Sequence, residues 1–168
     1  MSRIEILNAD ITRMDTDAIV NAANSSLLWG GGVCGAIFSA AGGSRLQEAC
    51  ARIGHCPTGS AVITPGFDLK AKYIIHAVGP VWNGDEEATG RLLTGCYRTS
   101  LELAEKNGCA SIAFPLISSG IYGVPKSIAW KYALKACHEY EGSIRAVFCV
   151  LNEGMRQQGL KILEEVTR

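Results

Sequence analysis

Residues 18–41 read AIVNAANSSLLWGGGVCGAIFSAA, and this stretch decides the fold class. It opens with the apolar run Ala18–Val20, which is typical of a strand, and closes with Val33–Ala41, whose apolar spacing is typical of a helix. The glycines Gly30–Gly32 lie between them. A strand that leads through a glycine-rich loop into a helix is the repeating unit of α/β proteins, which bind ligands beyond the carboxyl ends of their strands.

Strand and helix patterns alternate along the rest of the chain. Short apolar runs predict strands at Arg3–Leu7, Ala18–Val20, Ala61–Thr64, Tyr73–Val78, Ser111–Pro115 and Ile144–Leu151. Amphipathic spacing predicts helices at Val33–Ala41, Arg45–Ile53, Arg91–Asn107, Pro125–Tyr140 and Gln158–Thr167. Trp82–Gly90 is the longest loop-like stretch and is expected to be a surface connection. The predicted fold is α/β, a three-layer α/β/α sandwich around a mixed, largely parallel sheet.

The composition favours one domain, 1–168, with a sizeable core, because 48% of the residues are hydrophobic. Lysine plus arginine total 16 and so do aspartate plus glutamate, so the chain has no net charge to attract nucleic acid non-specifically or anionic membranes. Met1–Asp10 does not resemble a signal peptide, and no apolar run approaches the ~20 residues of a membrane span. We expect a cytoplasmic monomer that does not bind membranes.

The cysteines and histidines predict no metal site. The seven cysteines are scattered without a Cys-x-x-Cys pair, which indicates reduced thiols, mostly in the core. His76 lies in an apolar run and is expected to be a core residue with satisfied hydrogen bonds, whereas His55 and His138 are expected on the surface. The chain is predicted to need neither a metal nor another cofactor.

Two glycine-containing loops and one aspartate are the candidate site. Gly30–Gly32 would let backbone amides approach a ligand, and the helix that follows would direct unpaired N–H groups to the same place, which suits a diphosphate. Ser118–Gly123 follows a buried strand in the same way, so the two loops would hold a diphosphate from both sides. Asp10, at the end of the first strand, is either a turn residue or an acceptor for a ligand amine.

These motifs, in this order, resemble the macrodomain family and especially its MacroD-type branch. The matching stretches are Asn8–Thr12, Ile19–Asn24, Gly30–Ala41, Cys56–Gly59 with Ala61–Thr64, Ile75–Trp82 and Phe114–Gly123. The resemblance implies the fold predicted above and ADP-ribose, or a derivative, as the ligand. It also implies mono-ADP-ribosylated proteins as partners.

The resemblance implies a role for each candidate residue. Asp10 would bind the adenine amine, with Ile11 beside it, and Asn24 would bind hydroxyls of the distal ribose, where the family's chemistry occurs. The diphosphate would contact both loops, and Tyr122 would also pack against the distal sugar. The implied ligand-binding residues are Asp10, Ile11, Ala22, Asn24, Gly31, Gly32, Val33, Ser118, Ser119, Gly120, Ile121, Tyr122, Leu151 and Asn152.

The chain departs from the family pattern beside the glycines. Family hydrolases usually have an aspartate where this chain has Cys34 and a histidine where it has Phe38. Loss of a general base typically costs ~10²–10⁴ in rate. The ligand's own phosphate would instead orient a water held near Gly32. Cys34 is either a nucleophile, since a helix N-terminus favours a thiolate, or a small packed residue, since a bound diphosphate disfavours one.

Two further departures concern the rims of the site. The family commonly places an aromatic residue and then an aspartate where this chain has Leu151 and Asn152, so we expect weaker stacking on adenine. Trp29, before the glycines, is either a lid over the ligand or an exposed loop residue.

The resemblance therefore leaves two functions open. The first is a hydrolase that cleaves mono-ADP-ribosyl esters on acidic side chains or deacetylates O-acetyl-ADP-ribose, with Asn24, Gly32 and Cys34 as candidate catalytic residues. The second is a module that reads ADP-ribose without cleaving it. A more distant alternative is an α/β protein that binds another nucleotide.

Overall fold

A six-stranded sheet in the order β1-β6-β5-β2-β4-β3 forms the centre of the fold. The computed structural model describes residues 3–168. The strands are β1 (Ile4–Asn8), β2 (Ala18–Ala22), β3 (Ala61–Pro65), β4 (Tyr73–Ala77), β5 (Ser111–Phe114) and β6 (Arg145–Val150). The helices are α1 (Gly32–Ala41), α2 (Ser44–Ile53), α3 (Glu86–Lys106), α4 (Lys126–Glu139) and α5 (Glu153–Val166), with a short 3-10 turn at Ile11–Arg13.

Five of the six strands run in the same direction. The pairs β1–β6, β6–β5, β5–β2 and β2–β4 are parallel, and only β3 pairs with its neighbour β4 in the antiparallel sense. The predicted mixed, largely parallel sheet is thus confirmed. Because parallel strands end at the same edge, the loops that follow β1, β6, β5, β2 and β4 all lie along one side of the sheet.

Helices cover both faces of the sheet and complete the predicted three layers. One face packs Ile75, Phe114 and Phe148 against α3, α4 and α5, with the centroids of the Tyr97 and Trp130 rings 5.0–5.8 Å from those of Phe114 and Phe148. The other face packs alternate residues of the same strands against α1 and α2. Alternation follows from the two-residue period of a strand, and burial of both faces explains the uncharged strand sequences.

Two predicted boundaries were wrong, and both errors come from capping residues. The predicted loop Trp82–Gly90 ends early, because α3 begins at Glu86 after Asp85 accepts a hydrogen bond from the Ala88 amide at 3.1 Å. Helix α5 begins at Glu153 rather than Gln158. There the Asn152 Oδ1 atom accepts from the Met155 amide at 2.7 Å.

The predicted burial of the cysteines and of His76, and the predicted exposure of His55 and His138, are confirmed. All seven cysteines are buried free thiols, and His76 is fully buried with hydrogen-bonding partners. His55 and His138 are exposed. Within residues 3–168 no helix has the length and apolarity to cross a membrane, and no group of three or more His, Cys, Asp or Glu side chains is arranged to hold a metal ion.

Candidate functional site

The candidate residues lie along the carboxyl edge of the sheet in the order of its strands. Asp10 follows β1, Leu151 and Asn152 follow β6, Ser118–Gly123 follows β5, and the loop from Asn24 to Gly32 follows β2. Neighbouring strands are about 4.8 Å apart, so the three steps from β1 to β2 span roughly 14 Å. Residues from four separate parts of the chain therefore form one elongated row.

At the β1 end, Asp10 caps the 3-10 turn and keeps an exposed carboxylate. Its Oδ1 atom accepts from the Thr12 hydroxyl at 2.7 Å and from the Thr12 amide at 2.9 Å. These two hydrogen bonds, the hydroxyl first, lower the pKa of the Asp10 carboxyl. The Oδ2 atom has only Arg13 nearby, at 3.9 Å, so it remains available as an acceptor. Ile11, predicted beside it, is mostly buried in the core below α1.

The neighbouring β6 end is open and apolar. Leu151 is 76% exposed, which leaves its side chain free to contact a ligand. Asn152 directs its side-chain oxygen to the first turn of α5 as a helix cap. The sequence anticipated Asn152 as a ligand contact but not as the residue that starts this helix.

The loop after β2 is closed by the side chain of Asn24. The Asn24 Nδ2 atom donates to the Leu28 carbonyl at 2.9 Å, and the Leu28 amide donates to Asn24 Oδ1 at 3.0 Å. The Nδ2 and Oδ1 atoms of Asn24 each keep one further hydrogen-bonding site, because Nδ2 carries a second hydrogen and Oδ1 a second lone pair. Asn24 therefore shapes the loop and is still able to contact a diol. Ala22, at the end of β2, is half-buried.

The glycines bring the backbone to the start of α1 without side chains in the way. Gly31 is the N-cap residue and makes no side-chain hydrogen bond to the helix, and Gly32 has a positive φ of 57°. A Cβ atom at either residue would meet nothing within 4 Å, so both face open space, and the following Val33 is half-buried. The free N–H groups of the first helical turn and the helix dipole are features that favour an anion at this point.

The loop after β5 is held by backbone hydrogen bonds. The Ser118 carbonyl accepts from Val124 at 3.0 Å, Gly120 accepts from Gly123 at 2.9 Å, and Tyr122 accepts from Trp82 at 2.8 Å. Ile121 at the tip is 95% exposed, and the Tyr122 side chain is half-buried. The Ser119 hydroxyl donates to the Leu116 carbonyl at 2.8 Å.

Ser118 is the strained residue of this second loop. Its φ is +67°, in the left-handed region that non-glycine residues rarely adopt, and its buried hydroxyl has no hydrogen-bonding partner. Gly79, just after β4, lies directly against it, since a Cβ there would be 2.1 Å from Ser118 Oγ. Such costs persist in folded proteins chiefly at functional sites. Gly79 was not among the predicted site residues, although it follows a predicted strand.

The departures from the family pattern meet beneath the first loop. Trp29 stacks on Phe38 with ring centroids 5.6 Å apart and planes 18° apart. The Trp29 amide donates to Gln47 Oε1 at 2.7 Å, and its ring edge lies where a Cβ at Gly43 would be only 2.4 Å away. Trp29 is thus an exposed loop residue, as the second of the two alternatives states, and its ring rests on Phe38.

Cys34 belongs to a buried polar chain under the same loop. Its Sγ atom is 3.7 Å from the Leu28 carbonyl and 3.6 Å from Asn21 Nδ2, and Asn21 in turn contacts His76 Nδ1 at 3.0 Å. Because the Asn21 amide donates to Nδ1, the ring proton sits on Nε2, which donates to Thr64 Oγ1 at 3.0 Å. Burial lowers the pKa of His76 to about 4, so the ring is neutral near pH 7.

These contacts limit what the His76 ring and the Cys34 thiol can do in catalysis. His76 uses both ring nitrogens inside the core and is separated from Cys34 by Asn21, so it is not placed as a base for that thiol. Asn21 was missed as a structural residue, although it opens the same Asn-Ala-Ala-Asn motif that ends in Asn24.

The fold and this edge define an α/β protein whose candidate residues form one elongated row that includes the start of a helix. The macro domain family model matches residues 20–133. A protein of Escherichia fergusonii named O-acetyl-ADP-ribose deacetylase is 51% identical over 143 residues, which cover 83% of this chain and 80% of that protein. The chain belongs to the macro domain family.

Solved structures agree with this assignment. The macrodomain of Oceanobacillus iheyensis with ADP superposes with a TM-score of 0.91 at 40% identity, covering 98% of this chain and 91% of that chain. A macrodomain of Trypanosoma brucei in complex with ADP-ribose gives a TM-score of 0.84 at 39% identity, covering 95% of this chain and 68% of that chain. The resemblance seen in the sequence is thus confirmed.

Proposed function

We propose that the chain binds ADP-ribose along the carboxyl edge of its sheet. The observation that carries this proposal is the order of the loops: Asp10 and Leu151 at one end, Ser118–Gly123 in the middle, and the loop that contains both Gly30–Gly32 and Asn24 at the other end. That order matches adenine, diphosphate and distal ribose. Related macrodomains have been solved with ADP and with ADP-ribose, which supports the same ligand here.

Backbone amides, rather than basic side chains, would neutralise the diphosphate. The exposed Gly31 and Gly32 and the start of α1 supply N–H groups from one side. The loop Ser118–Tyr122 would close from the other side, with Ile121 fully available at its tip. At the adenine end, the hydrogen bonds from Thr12 lower the pKa of Asp10 and so favour its ionised carboxylate, which would accept a hydrogen bond from the adenine amine.

The proposed reaction is hydrolysis at the distal ribose. Water would cleave the ester between that ribose and an acidic side chain of a protein, or an acetyl group, releasing ADP-ribose and the free acid. Asn24 would position the sugar through its remaining hydrogen-bonding sites, and the ligand phosphate would orient the water near Gly32. The relative named O-acetyl-ADP-ribose deacetylase supports an activity of this class.

Cys34 is proposed as a packed residue under the loop rather than as a nucleophile. Its thiol is buried, and the two polar groups near it are an amide nitrogen and a backbone carbonyl, neither of which is a base for a thiol. The alternative function, a reader that binds ADP-ribose without cleaving it, follows from the same absence of an acidic residue at this position.

The first experiment measures release of ADP-ribose from a protein mono-ADP-ribosylated on glutamate. Gly32→Glu serves as the binding-deficient control, because it places a carboxylate at the diphosphate and a side chain at a positive φ. The two effects together should weaken ADP-ribose binding by about 30-fold or more. Gly32→Ala separates backbone strain from charge, since its Cβ has room. Release that Gly32→Glu abolishes supports the hydrolase; tight binding without release supports the reader.

Restoring the family residues separates the two functions further. Cys34→Asp with Phe38→His should raise turnover substantially if the natural chain is a weakened enzyme. The structure shows that this pair is not isolated, because Phe38 supports Trp29. The exchange should therefore be made with and without Trp29→Gly, and ADP-ribose affinity measured beside each rate. A rate unchanged in both backgrounds, with affinity retained, would argue that water activation does not depend on this position.

The adenine end has its own test. Leu151→Phe supplies the ring that the exposed Leu151 lacks, and base–aromatic stacking is worth ~1–3 kcal/mol, so ADP-ribose should bind at least about fivefold tighter. Calorimetric titration with ADP-ribose and with ribose-5-phosphate distinguishes a gain at adenine from a general one. An equal affinity for ADP-ribose in both proteins would place adenine away from Leu151.

A further inference from the structure

We propose that Trp29 is a specificity-determining residue: its ring contacts the polypeptide to which ADP-ribose is linked, so it favours protein-linked ADP-ribose over the free nucleotide. This inference rests on the proposed function, because it takes Asn24 as the residue at the distal ribose.

The backbone of Trp29 lies beside the Asn24 side chain. Leu28, before it, makes both hydrogen bonds to the Asn24 amide group, and a Cβ at Gly30, after it, would lie 3.8 Å from Asn24 Nδ2. The group bonded to a sugar held by Asn24 therefore leaves the cleft next to residues 28–30. For a protein substrate that group is the modified side chain and its flanking polypeptide.

The ring of Trp29 is fixed before any ligand arrives. Phe38 supports one face, Gly43 leaves room for its edge, and Gln47 holds both the Trp29 amide and, at 3.2 Å, the Leu27 carbonyl. A side chain already held in place loses little conformational entropy when it contacts a partner.

The support also leaves apolar surface open at this spot. Trp29 is 48% exposed, and the adjacent Leu28 is exposed as well. Tryptophan is one of the residue types enriched among the side chains that contribute most to protein–protein binding. A polypeptide fits this surface because it offers peptide planes and aliphatic side chains for the indole face, whereas a free ADP-ribose or an acetyl ester ends at the sugar.

The test compares two ligands on the same variants. The first ligand is free ADP-ribose. The second is a peptide in which ADP-ribose is linked to one side chain through an amide nitrogen, as in glutamine, instead of through the ester oxygen of glutamate, so that the linkage resists hydrolysis. Trp29→Ala should weaken binding of the peptide about three- to tenfold and leave free ADP-ribose within about twofold. Trp29→Phe keeps a ring on Phe38 and should give an intermediate loss for the peptide.

Ile53→Ala is the matched control, because Ile53 is an exposed apolar residue at the end of α2 and has no role in the cleft. It should change neither affinity. Equal losses for both ligands in Trp29→Ala would overturn the inference, since Trp29 would then act only through loop shape or on ADP-ribose itself. No loss for either ligand would overturn it too. If the unmodified protein fails to bind free ADP-ribose, the proposed function fails first, which is a different result.

Discussion

The two glycine-containing loops of the candidate site are held mainly by different groups. The first, between β2 and α1, is held mainly by side chains: Asn24 closes it, Gln47 ties it to α2, and Trp29 stacks on Phe38 below it. The second, between β5 and α4, is held mainly by backbone hydrogen bonds, to which the Ser119 hydroxyl adds one, and its unfavourable features, a positive φ and an unpaired buried hydroxyl, lie at Ser118.

The difference explains where the chain has departed from its family. A loop supported by side chains tolerates exchange when the contacting residues change together, and Trp29 with Phe38 is such a pair. A loop held by its own backbone depends on particular dihedral angles, and those restrict residue choice much more. The departures from the family pattern noted at Trp29, Cys34 and Phe38 accordingly lie in and beside the first loop, and none was noted in the second.

The largest predicted effect concerns the buried chain below the first loop. Burial lowers the His76 pKa from its ordinary 6.5 to about 4. The unfolded chain therefore binds the proton first on acidification, so stability is full above pH 6.5 and falls as the pH drops from 6.5 to about 4. The total loss should be about 3 kcal/mol. Urea unfolding at several pH values measures it, and His76→Gln should flatten that dependence. An unchanged slope in His76→Gln would assign the dependence to other groups.

A substitution at Gly79, which lies against Ser118, should destabilise the second loop. An added Cβ would be 2.1 Å from Ser118 Oγ and 2.5 Å from Ile117 Cγ2, so Gly79→Ala should cost about 1–3 kcal/mol of stability and weaken ADP-ribose binding. Ser118→Gly removes the hydroxyl and relieves the strain of the positive φ, which glycine adopts readily. It should recover part of the loss when combined with Gly79→Ala. Melting temperatures of the two single variants and of the double variant measure this recovery. Strictly additive losses of stability would mean that the residues at positions 79 and 118 do not clash.

The smallest predicted effect tests whether Trp29 and Phe38 are one unit. Stacked aromatic pairs are worth about 0.5–1.5 kcal/mol beyond the area they bury, so a double-mutant cycle with Trp29→Ala and Phe38→Leu should show a coupling of that size. Urea unfolding of the four proteins measures it. A coupling indistinguishable from zero would mean that the two departures from the family arose independently and that the first loop has no aromatic support.

Most of the fold was predictable because its signals are local. The uncharged run Tyr73–Ala77 and the helical spacing around Leu93, Tyr97 and Leu101 follow directly from two-sided burial and from the helix period. The two wrong boundaries lie at Asp85 and Asn152, where one side-chain oxygen starts a helix earlier than the apolar pattern does. A capping residue is a weak signal in a sequence, because the same residue types also favour turns.

The candidate site was predictable only in part. The positions of Asp10, Asn24 and both loops at the ends of strands were predictable because motifs placed them there, and their roles in binding stay predictions. Asn21, Gln47 and Gly79 were not predicted, because each acts on a residue distant in sequence: Asn21 on His76, Gln47 on Trp29 and Gly79 on Ser118. Such contacts leave no periodic trace.

The sequence by itself determined the fold class, the six strands and the positions of the two glycine-containing loops, because burial, periodicity and glycine act over a few residues. Only the tertiary structure decided what holds those loops. It showed that Trp29 rests on Phe38, that Cys34 is packed under the loop and that the Asn24 side chain closes that loop. These facts depend on which strands are neighbours in the sheet, and that order brings together residues that the chain keeps far apart.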